Sequence, residues 1–189
     1  PNNWFTANNS RLSVFPMFAQ SRRAEKRDDI LKNLTEKYQV EDVDDWSEFE
    51  AEAMYLEGTG SMVIDHDKRI IYAWISPRTH KAVVEKYAAI NGYKVIAFTA
   101  HDEQERLIYH TNVMMCIGDT FAVICADCID DKKERKMVLG NLREDGKEVI
   151  LLTETQLNSF AGNMLQVTGA DNQDYLVMSA AAHQALTKD

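Results

Sequence analysis

The chain has 189 residues, of which 45% are hydrophobic and 27% charged, and its formal net charge is −9. This acidic balance disfavours a protein that binds nucleic acid or an anionic membrane surface, since both need a basic face. No apolar run approaches the roughly 20 residues of a membrane-spanning helix. Three cysteines are too few for a disulfide framework, so we expect a cytoplasmic protein.

The chain begins with an aromatic pair, Trp4-Phe5, directly after Pro1 and two asparagines. Chain ends are usually polar and frayed, so this start leads us to expect that the sequence is cut from a longer one. The pair is followed by a polar turn and a second apolar segment at 12–15. A helix is predicted from about Ser21 to Tyr38.

Three further units repeat the same pattern. Each opens with a short apolar segment, continues through a turn of hairpin length into a second apolar segment, and then shows helical periodicity. The units start at Ser61, Asn112 and Asn163, each 51 residues after the last. The predicted helices cover 79–89 and 131–142, and short strands are predicted at 95–98 and 149–152.

A period near fifty with one ββαβ unit per repeat predicts an α+β fold in which the units form an array or an α/β-propeller. The first unit starts near Trp4, and the fourth stops inside its helix at Asp189. We therefore expect residues 1–189 to be a single, incomplete propeller domain that lacks its C-terminal part. An open array with an atypical last unit is the alternative.

Two residues before the hairpins are candidates for chemistry. Glu57 precedes the second unit and His110 precedes the third, so they occupy equivalent edges of successive repeats. In a ring such edges converge on the axis, where a carboxylate could orient an imidazole. The alternative is a solvated glutamate at one strand start and a structural histidine at the other.

Arginines stand at two corners where a strand gives way to a helix. Arg78 lies in the stretch SPRT at 76–79, and Arg22 occupies the corresponding place in the first unit. Arginine at such a corner suits bidentate binding of a carboxylate. The alternative is a solvated side chain that opposes the helix dipole.

The remaining motifs predict no cofactor. Cys125 and Cys128 are two residues apart, but no second pair accompanies them, and buried structural thiols are the simpler interpretation for both and for Cys116. The histidines show no metal-ligand spacing, and neither a phosphate-binding glycine loop nor a dinucleotide motif is present. We therefore expect neither a metal nor a cofactor.

Taken together, the motifs resemble the arginine deiminase / amidinotransferase superfamily, and especially its bacterial citrulline-utilisation hydrolases. The similar stretches are PNNWF at 1–5, PM at 16–17, RRAEKR at 22–27, LEGTGSMV at 56–63, SPRT at 76–79, YHTNVMM at 109–115 and FAGNML at 160–165. They span essentially the whole chain in a fixed order. The resemblance implies a five-unit ββαβ propeller with its active site on the pseudo-symmetry axis.

The resemblance also implies a mechanism in which a cysteine attacks the guanidino or ureido carbon. It gives His110 the role of general acid and base, and Glu57 that of the glutamate which binds the histidine and the substrate nitrogens. Arg78 would bind the substrate α-carboxylate, with Arg22 or Arg23 beside it. The family's cysteine lies in a glycine-rich motif that does not occur before Asp189, so we expect this chain to be inactive alone.

Two asparagines separate the chain from arginine deiminases, which carry aspartates at the matching positions. Asn3 and Asn112 can both donate to a carbonyl and accept from an amide, which suits a neutral ureido group. We therefore favour hydrolysis of citrulline to ornithine, ammonia and CO2. Arginine deimination and amidino transfer are alternatives, and a non-catalytic propeller that binds a ureido or guanidino ligand is an alternative of another class.

The expected partner is a small ureido or guanidino amino acid, and neither nucleic acid nor membrane. A homo-oligomer is a further expectation, because an incomplete propeller leaves unpaired sheet edges and apolar surface.

Overall fold

The computed structural model describes residues 3–8, 10–101 and 108–186. Within these ranges lie three complete ββαβ units, each with a three-stranded sheet, and a fourth unit with a two-stranded sheet. In every complete unit the first two strands form an antiparallel hairpin, and the third pairs in parallel with the second. The predicted α+β fold of repeated ββαβ units is confirmed.

The elements follow one another in the predicted order. The first unit contains β1 (Phe5–Asn8), β2 (Arg11–Val14), α1 (Gln20–Arg23), α2 (Asp28–Lys37), β3 (Asp42–Asp45) and a 3-10 helix (Ser47–Glu52). The second contains α3 (Gly58–Ser61), β4 (Met62–Asp65), β5 (Ile70–Trp74), α4 (Lys81–Asn91) and β6 (Lys94–Phe98). The third contains α5 (Thr111–Met114), β7 (Met115–Ile117), β8 (Phe121–Ile124), a 3-10 helix (Ala126–Cys128), α6 (Lys132–Glu144), β9 (Glu148–Leu151) and α7 (Glu154–Asn158). The fourth contains β10 (Leu165–Thr168), β11 (Asp174–Val177) and α8 (Ala180–Ala185). None of the helices in the described ranges has the length and apolar character needed to cross a membrane.

The second unit shows why these sequences form these elements. β5 reads IIYAW and all five of its residues are buried, as expected for β-branched and aromatic residues in the central strand of a sheet. α4 turns Val83, Val84 and Tyr87 into the core at helical spacing. It ends at Gly92, whose φ of 69° gives the left-handed cap that glycine adopts without strain.

The long helix predicted over 21–38 is wrong, because the structure has two separate helices there, α1 and α2. Two basic residues at this break, Arg23 and Lys26, form ion pairs with Glu50. Lys26 Nζ lies 2.6 Å from Glu50 Oε1, and Arg23 Nε lies 3.3 Å from Glu50 Oε2. These ion pairs bind the segment to the 3-10 helix and interrupt the helical path.

The second and third units do not open with a strand at Ser61 and Asn112 as predicted. Each opens with a single helical turn, α3 or α5, and the strands begin at the following methionines. Thr111 Oγ1 donates to the carbonyl oxygen of Ser61 at 2.6 Å and accepts from the amide of Trp74 at 2.9 Å. Across α3, Ser61 Oγ accepts from the backbone amide of Glu57 at 2.8 Å, and a local side-chain hydrogen bond of this kind favours a turn over a strand.

The units are arranged around a common cavity of about 890 Å³. Residues of the first strand of every unit, β1, β4, β7 and β10, line it, and β7 contacts both β4 and β10. A buried ion pair joins two units, since Lys147 Nζ lies 2.9 Å from Asp65 Oδ2 and both side chains are 4% exposed. Successive units that turn their first strands toward one centre form a propeller arrangement and not a linear array.

Candidate functional site

Glu57 and His110 occupy equivalent positions in the second and third units. Each immediately precedes a one-turn helix and lies five residues before the first residue of its unit's first strand. The two one-turn helices, α3 and α5, contact each other. As a result the side chains meet, with His110 Nε2 2.6 Å from Glu57 Oε2. Both residues are buried, Glu57 completely.

Glu57 is surrounded by hydrogen-bond donors and positive charge. Its Oε1 accepts from the amide of Phe18 at 3.0 Å, and its Oε2 lies 3.3 Å from Arg78 Nη1 and 3.8 Å from Arg22 Nη1. Burial opposes its ionisation, but the hydrogen bonds from His110 and Phe18 and the nearby positive charges outweigh burial and hold the pKa of Glu57 below its ordinary 4.5. The site therefore contains a buried carboxylate that is ionised at neutral pH.

The two arginines beside Glu57 differ in how many of their donors are already used. Arg22 makes two hydrogen bonds of 3.1 Å to the carboxylate of Glu25, which together with its charge raise the pKa of Arg22. Among the described contacts, the guanidinium of Arg78 makes one hydrogen bond, to Glu57. Arg78 therefore keeps most of its five N–H donors for a ligand.

Asn3 packs beside His110 because Gly60 has no side chain. A methyl group on Gly60 would lie 2.7 Å from Asn3 Nδ2 and 3.0 Å from His110 Nε2. Both distances are shorter than a carbon atom tolerates without movement of its neighbours. The glycine thus allows the amide and the imidazole to approach the same point of the backbone.

Asn112 stands apart from this cluster. It is half-buried in the wall of the central cavity, and its carbonyl oxygen accepts a hydrogen bond of 2.8 Å from Asn163 Nδ2. Among the described contacts, none joins Asn112 to Glu57 or His110. The structure therefore brings Glu57, His110, Arg78, Arg22 and Asn3 together and leaves the sixth predicted residue outside them.

All three cysteines are buried. Cys116 lies in β7, and burial raises the pKa of its thiol to about 11, which makes it a poor nucleophile at neutral pH. Cys125 Sγ lies 3.2 Å from Cys128 Sγ, at the start and end of the 3-10 helix after β8. Within the described residues, no group of three or more histidines, cysteines, aspartates or glutamates could hold a metal ion.

Two aromatic residues of the site are not among those predicted from the sequence. Phe18 donates its backbone amide to Glu57, and the ring of Tyr109 contacts the imidazole of His110 at a centroid distance of 5.1 Å. Phe18 and Tyr109 are 43% and 47% exposed although they adjoin the buried pair Glu57 and His110. Their position along the chain is the indication that the sequence contains, since each residue adjoins or lies in a motif that belongs to the family resemblance.

The comparisons with known proteins agree with this architecture. The family model described as N,N dimethylarginine dimethylhydrolase, eukaryotic, matches residues 1–189. No curated protein matches the chain. Among solved structures, apo ArgZ, an arginine dihydrolase from the ornithine–ammonia cycle in cyanobacteria, matches with a TM-score of 0.67 at 16% identity, over 87% of this chain and 25% of that one.

Two further structures are similar. The substrate-bound N-terminal domain of the same cyanobacterial ArgZ gives a TM-score of 0.66 at 15% identity, over 86% of this chain and 56% of that one. A dimethylarginine dimethylaminohydrolase adduct with S-methyl-L-thiocitrulline gives 0.59 at 12% identity, over 86% and 56%. The chain thus spans between a quarter and little more than half of these structures.

Structural likeness at such low identity establishes the fold alone, whereas the family model covers the whole sequence. The resemblance to the arginine deiminase / amidinotransferase superfamily is confirmed. The chain belongs to the N,N dimethylarginine dimethylhydrolase family, one of the pentein enzymes that modify guanidino groups.

Proposed function

We propose that this chain supplies the acid–base half of an active site that hydrolyses a C–N bond of a ureido or guanidino amino acid, with citrulline the favoured substrate. The observation that carries the proposal is the buried contact of 2.6 Å between His110 Nε2 and the ionised carboxylate of Glu57. A carboxylate fixed on an imidazole sets the orientation of the ring, which a general acid and base requires.

In the proposed reaction a thiolate attacks the ureido carbon of citrulline, and the C–N bond to the terminal nitrogen breaks. His110 gives its proton to the departing nitrogen, which leaves as ammonia, and a thiocarbamate remains on the enzyme. His110 then removes a proton from water, which attacks the same carbon and releases the thiol. The resulting carbamate separates into ornithine and CO2, so that citrulline and one water are consumed.

The thiol is proposed to come from outside these 189 residues. Cys116 has a raised pKa, and Cys125 and Cys128 are hydrogen-bonded to each other in the core of the third unit. Although the hydrogen bond with Cys128 lowers the pKa of Cys125, all three thiols are buried, and none of the described contacts joins them to His110. On this proposal the chain binds substrate but does not turn it over alone.

Arg78 is proposed to bind the α-carboxylate of the substrate, because its free donors lie at the site and its neighbour Glu57 would bind the other end of the molecule. Asn3, whose amide packs beside His110, favours a neutral ureido group. A second candidate substrate is arginine, since the buried negative charge of Glu57 also suits a cationic guanidinium.

The test is ammonia release by the full-length protein, with citrulline and arginine compared side by side. His110→Ala should lower kcat with citrulline at least about a hundredfold, as expected for loss of a general acid and base. His183→Ala, at an exposed position in α8, is the matched control and should leave kcat unchanged. Retained ammonia release in His110→Ala would remove His110 from its role, and equal or faster turnover of arginine would overturn citrulline as the favoured substrate.

A further inference from the structure

Arg78 is held at the site by two aromatic rings. Its Cζ lies over the ring of Tyr109, 5.2 Å from the centroid, and over the ring of Phe18, 5.7 Å from the centroid. A guanidinium within about 6 Å of an aromatic centroid is attracted by the negative face of the ring. Because this attraction acts through the ring face, it consumes none of the N–H donors of Arg78.

Both rings are themselves fixed by contacts within the site. The backbone amide of Phe18 donates to Glu57 Oε1, and its ring packs edge-on against Tyr55 at a centroid distance of 5.2 Å. The carbonyl oxygen of Tyr109 accepts from Ser76 Oγ at 3.2 Å, and its ring packs edge-on against His110. The rings therefore connect the position of Arg78 to the Glu57–His110 pair.

The other arginines nearby are held differently. Arg22 is fixed by two hydrogen bonds to Glu25. Arg23 also lies over a ring, 5.8 Å from the centroid of Tyr55, but its Nε binds the carbonyl oxygen of Met17 and lies 3.3 Å from Glu50 Oε2. Those contacts occupy N–H groups, whereas the aromatic contacts of Arg78 leave them available. An arginine that binds a carboxylate through two parallel hydrogen bonds needs its N–H groups unoccupied. Aromatic contacts therefore suit it better than hydrogen bonds within the protein.

We propose that Phe18 and Tyr109 form an aromatic bracket that positions Arg78 for the substrate carboxylate and thereby selects α-amino acids over the corresponding amines. This inference rests on the proposed function, because it takes Arg78 as the group that binds the carboxylate. Phe18 and Tyr109 are positioning residues, since they act through Arg78. Their half-exposed rings are thus explained by a function in binding and not by core packing.

Calorimetric titration of this chain with L-citrulline and with its decarboxylated counterpart, N-carbamoylputrescine, tests the bracket. Tyr109→Leu should raise Kd for citrulline about three- to tenfold, the range expected when one cation–π contact is lost, and leave Kd for N-carbamoylputrescine unchanged. Tyr109→Phe keeps the ring and should retain citrulline affinity within about twofold. Equal weakening of both ligands by Tyr109→Leu, or no weakening of either, would overturn the proposal.

Proton NMR of the ligand-free chain separates this inference from the proposed function. Over two ring faces, the Hε proton of Arg78 should resonate upfield of an exposed arginine, and Tyr109→Leu should return it toward the ordinary position. An ordinary shift in the unsubstituted chain overturns the bracket itself. If the upfield shift is present but neither ligand binds, the proposed substrate class is wrong. The proposed function of Phe18 and Tyr109 in positioning Arg78 for a substrate carboxylate is then wrong as well.

Discussion

At the scale of single residues, Gly60 determines how closely the groups of the site approach one another. The side chains of Asn3 and His110 both lie close to the position that a Cβ atom of residue 60 would take. Any larger residue would occupy that space. The atoms that a methyl group would displace are the ends of two side chains, not backbone. Gly60 therefore matters for the geometry of the site more than for folding.

We expect Gly60→Ala to weaken citrulline binding at least about tenfold while changing the free energy of unfolding by less than about 1 kcal/mol. The added methyl must displace Asn3 Nδ2 and shift the imidazole of His110 by a few tenths of an ångström, and such flexible side-chain ends give way at small cost. Calorimetric titration and chemical denaturation measure the two effects separately.

Gly140→Ala is the matched control for this substitution. Gly140 lies inside α6, and apart from its chain neighbours and the backbone of its own helix no atom lies within 4 Å of the position that its methyl group would take. The change should increase the free energy of unfolding by about 0.5–1 kcal/mol and leave binding unaltered. Unaltered binding in Gly60→Ala as well would show that the close approach at Gly60 is dispensable.

At the scale of elements, a buried ion pair connects the third unit to the second. Lys147, just before β9, contacts Asp65 at the end of β4 and also donates to the carbonyl oxygens of Gly118 and Asp119. The lysine thus joins the β7–β8 turn to the neighbouring sheet. Removal of one partner would leave a buried charge without compensation.

Lys147→Met should lower the free energy of unfolding by about 3 kcal/mol, within the range measured when one partner of a buried pair is removed. The double variant Asp65→Leu/Lys147→Met should recover most of that loss, since apolar residues can replace a buried pair at little cost. Denaturant titrations of the three proteins give the coupling. A double variant less stable than Lys147→Met would contradict this account.

The same pair predicts a pH dependence. Burial opposes ionisation of Asp65, but hydrogen bonds from Lys147 and from the amide of Lys68 outweigh it and lower the pKa of Asp65 below its ordinary 3.8. A lowered carboxyl pKa stabilises the folded state above pH 3.8, and this contribution is lost as the pH falls through the folded-state pKa. The difference in stability between the unsubstituted chain and Asp65→Asn should therefore shrink below that pH.

At the scale of the whole molecule, the fourth unit exposes an apolar sheet face. β10 and β11 pair so that Leu165 faces Val177 and Val167 faces Tyr175, and these side chains are 64%, 53%, 37% and 48% exposed, respectively. A contiguous apolar face with a free strand edge favours association. It is the physical basis for our expectation of a homo-oligomer.

We expect this chain to associate with increasing concentration, as measured by sedimentation velocity. Leu165→Glu combined with Val177→Lys should return it to a monomer, because charges on both strands oppose the burial of this face. Ile90→Glu, at an exposed apolar position on α4, is the control and should not change association. A monomer at every concentration would contradict the prediction.

The architecture was predictable because its signals are local. Apolar runs such as Ile70–Trp74 and the turns between them indicate hairpins within a few residues, and the spacing of 51 residues repeats them along the chain. The break between α1 and α2 was not predictable, since it depends on ion pairs to Glu50, more than twenty residues away.

Sequence alone determined the repeated ββαβ unit and the candidate residues Glu57, His110, Arg78, Arg22, Asn3 and Asn112, because residue type and order along the chain carry that information. Only the tertiary structure decided which of them meet. It placed Asn112 in the cavity wall and brought Phe18 and Tyr109 to Arg78. Contacts of this kind join residues some 30 to 60 positions apart, and their distances depend on how separate units pack, which no local pattern records.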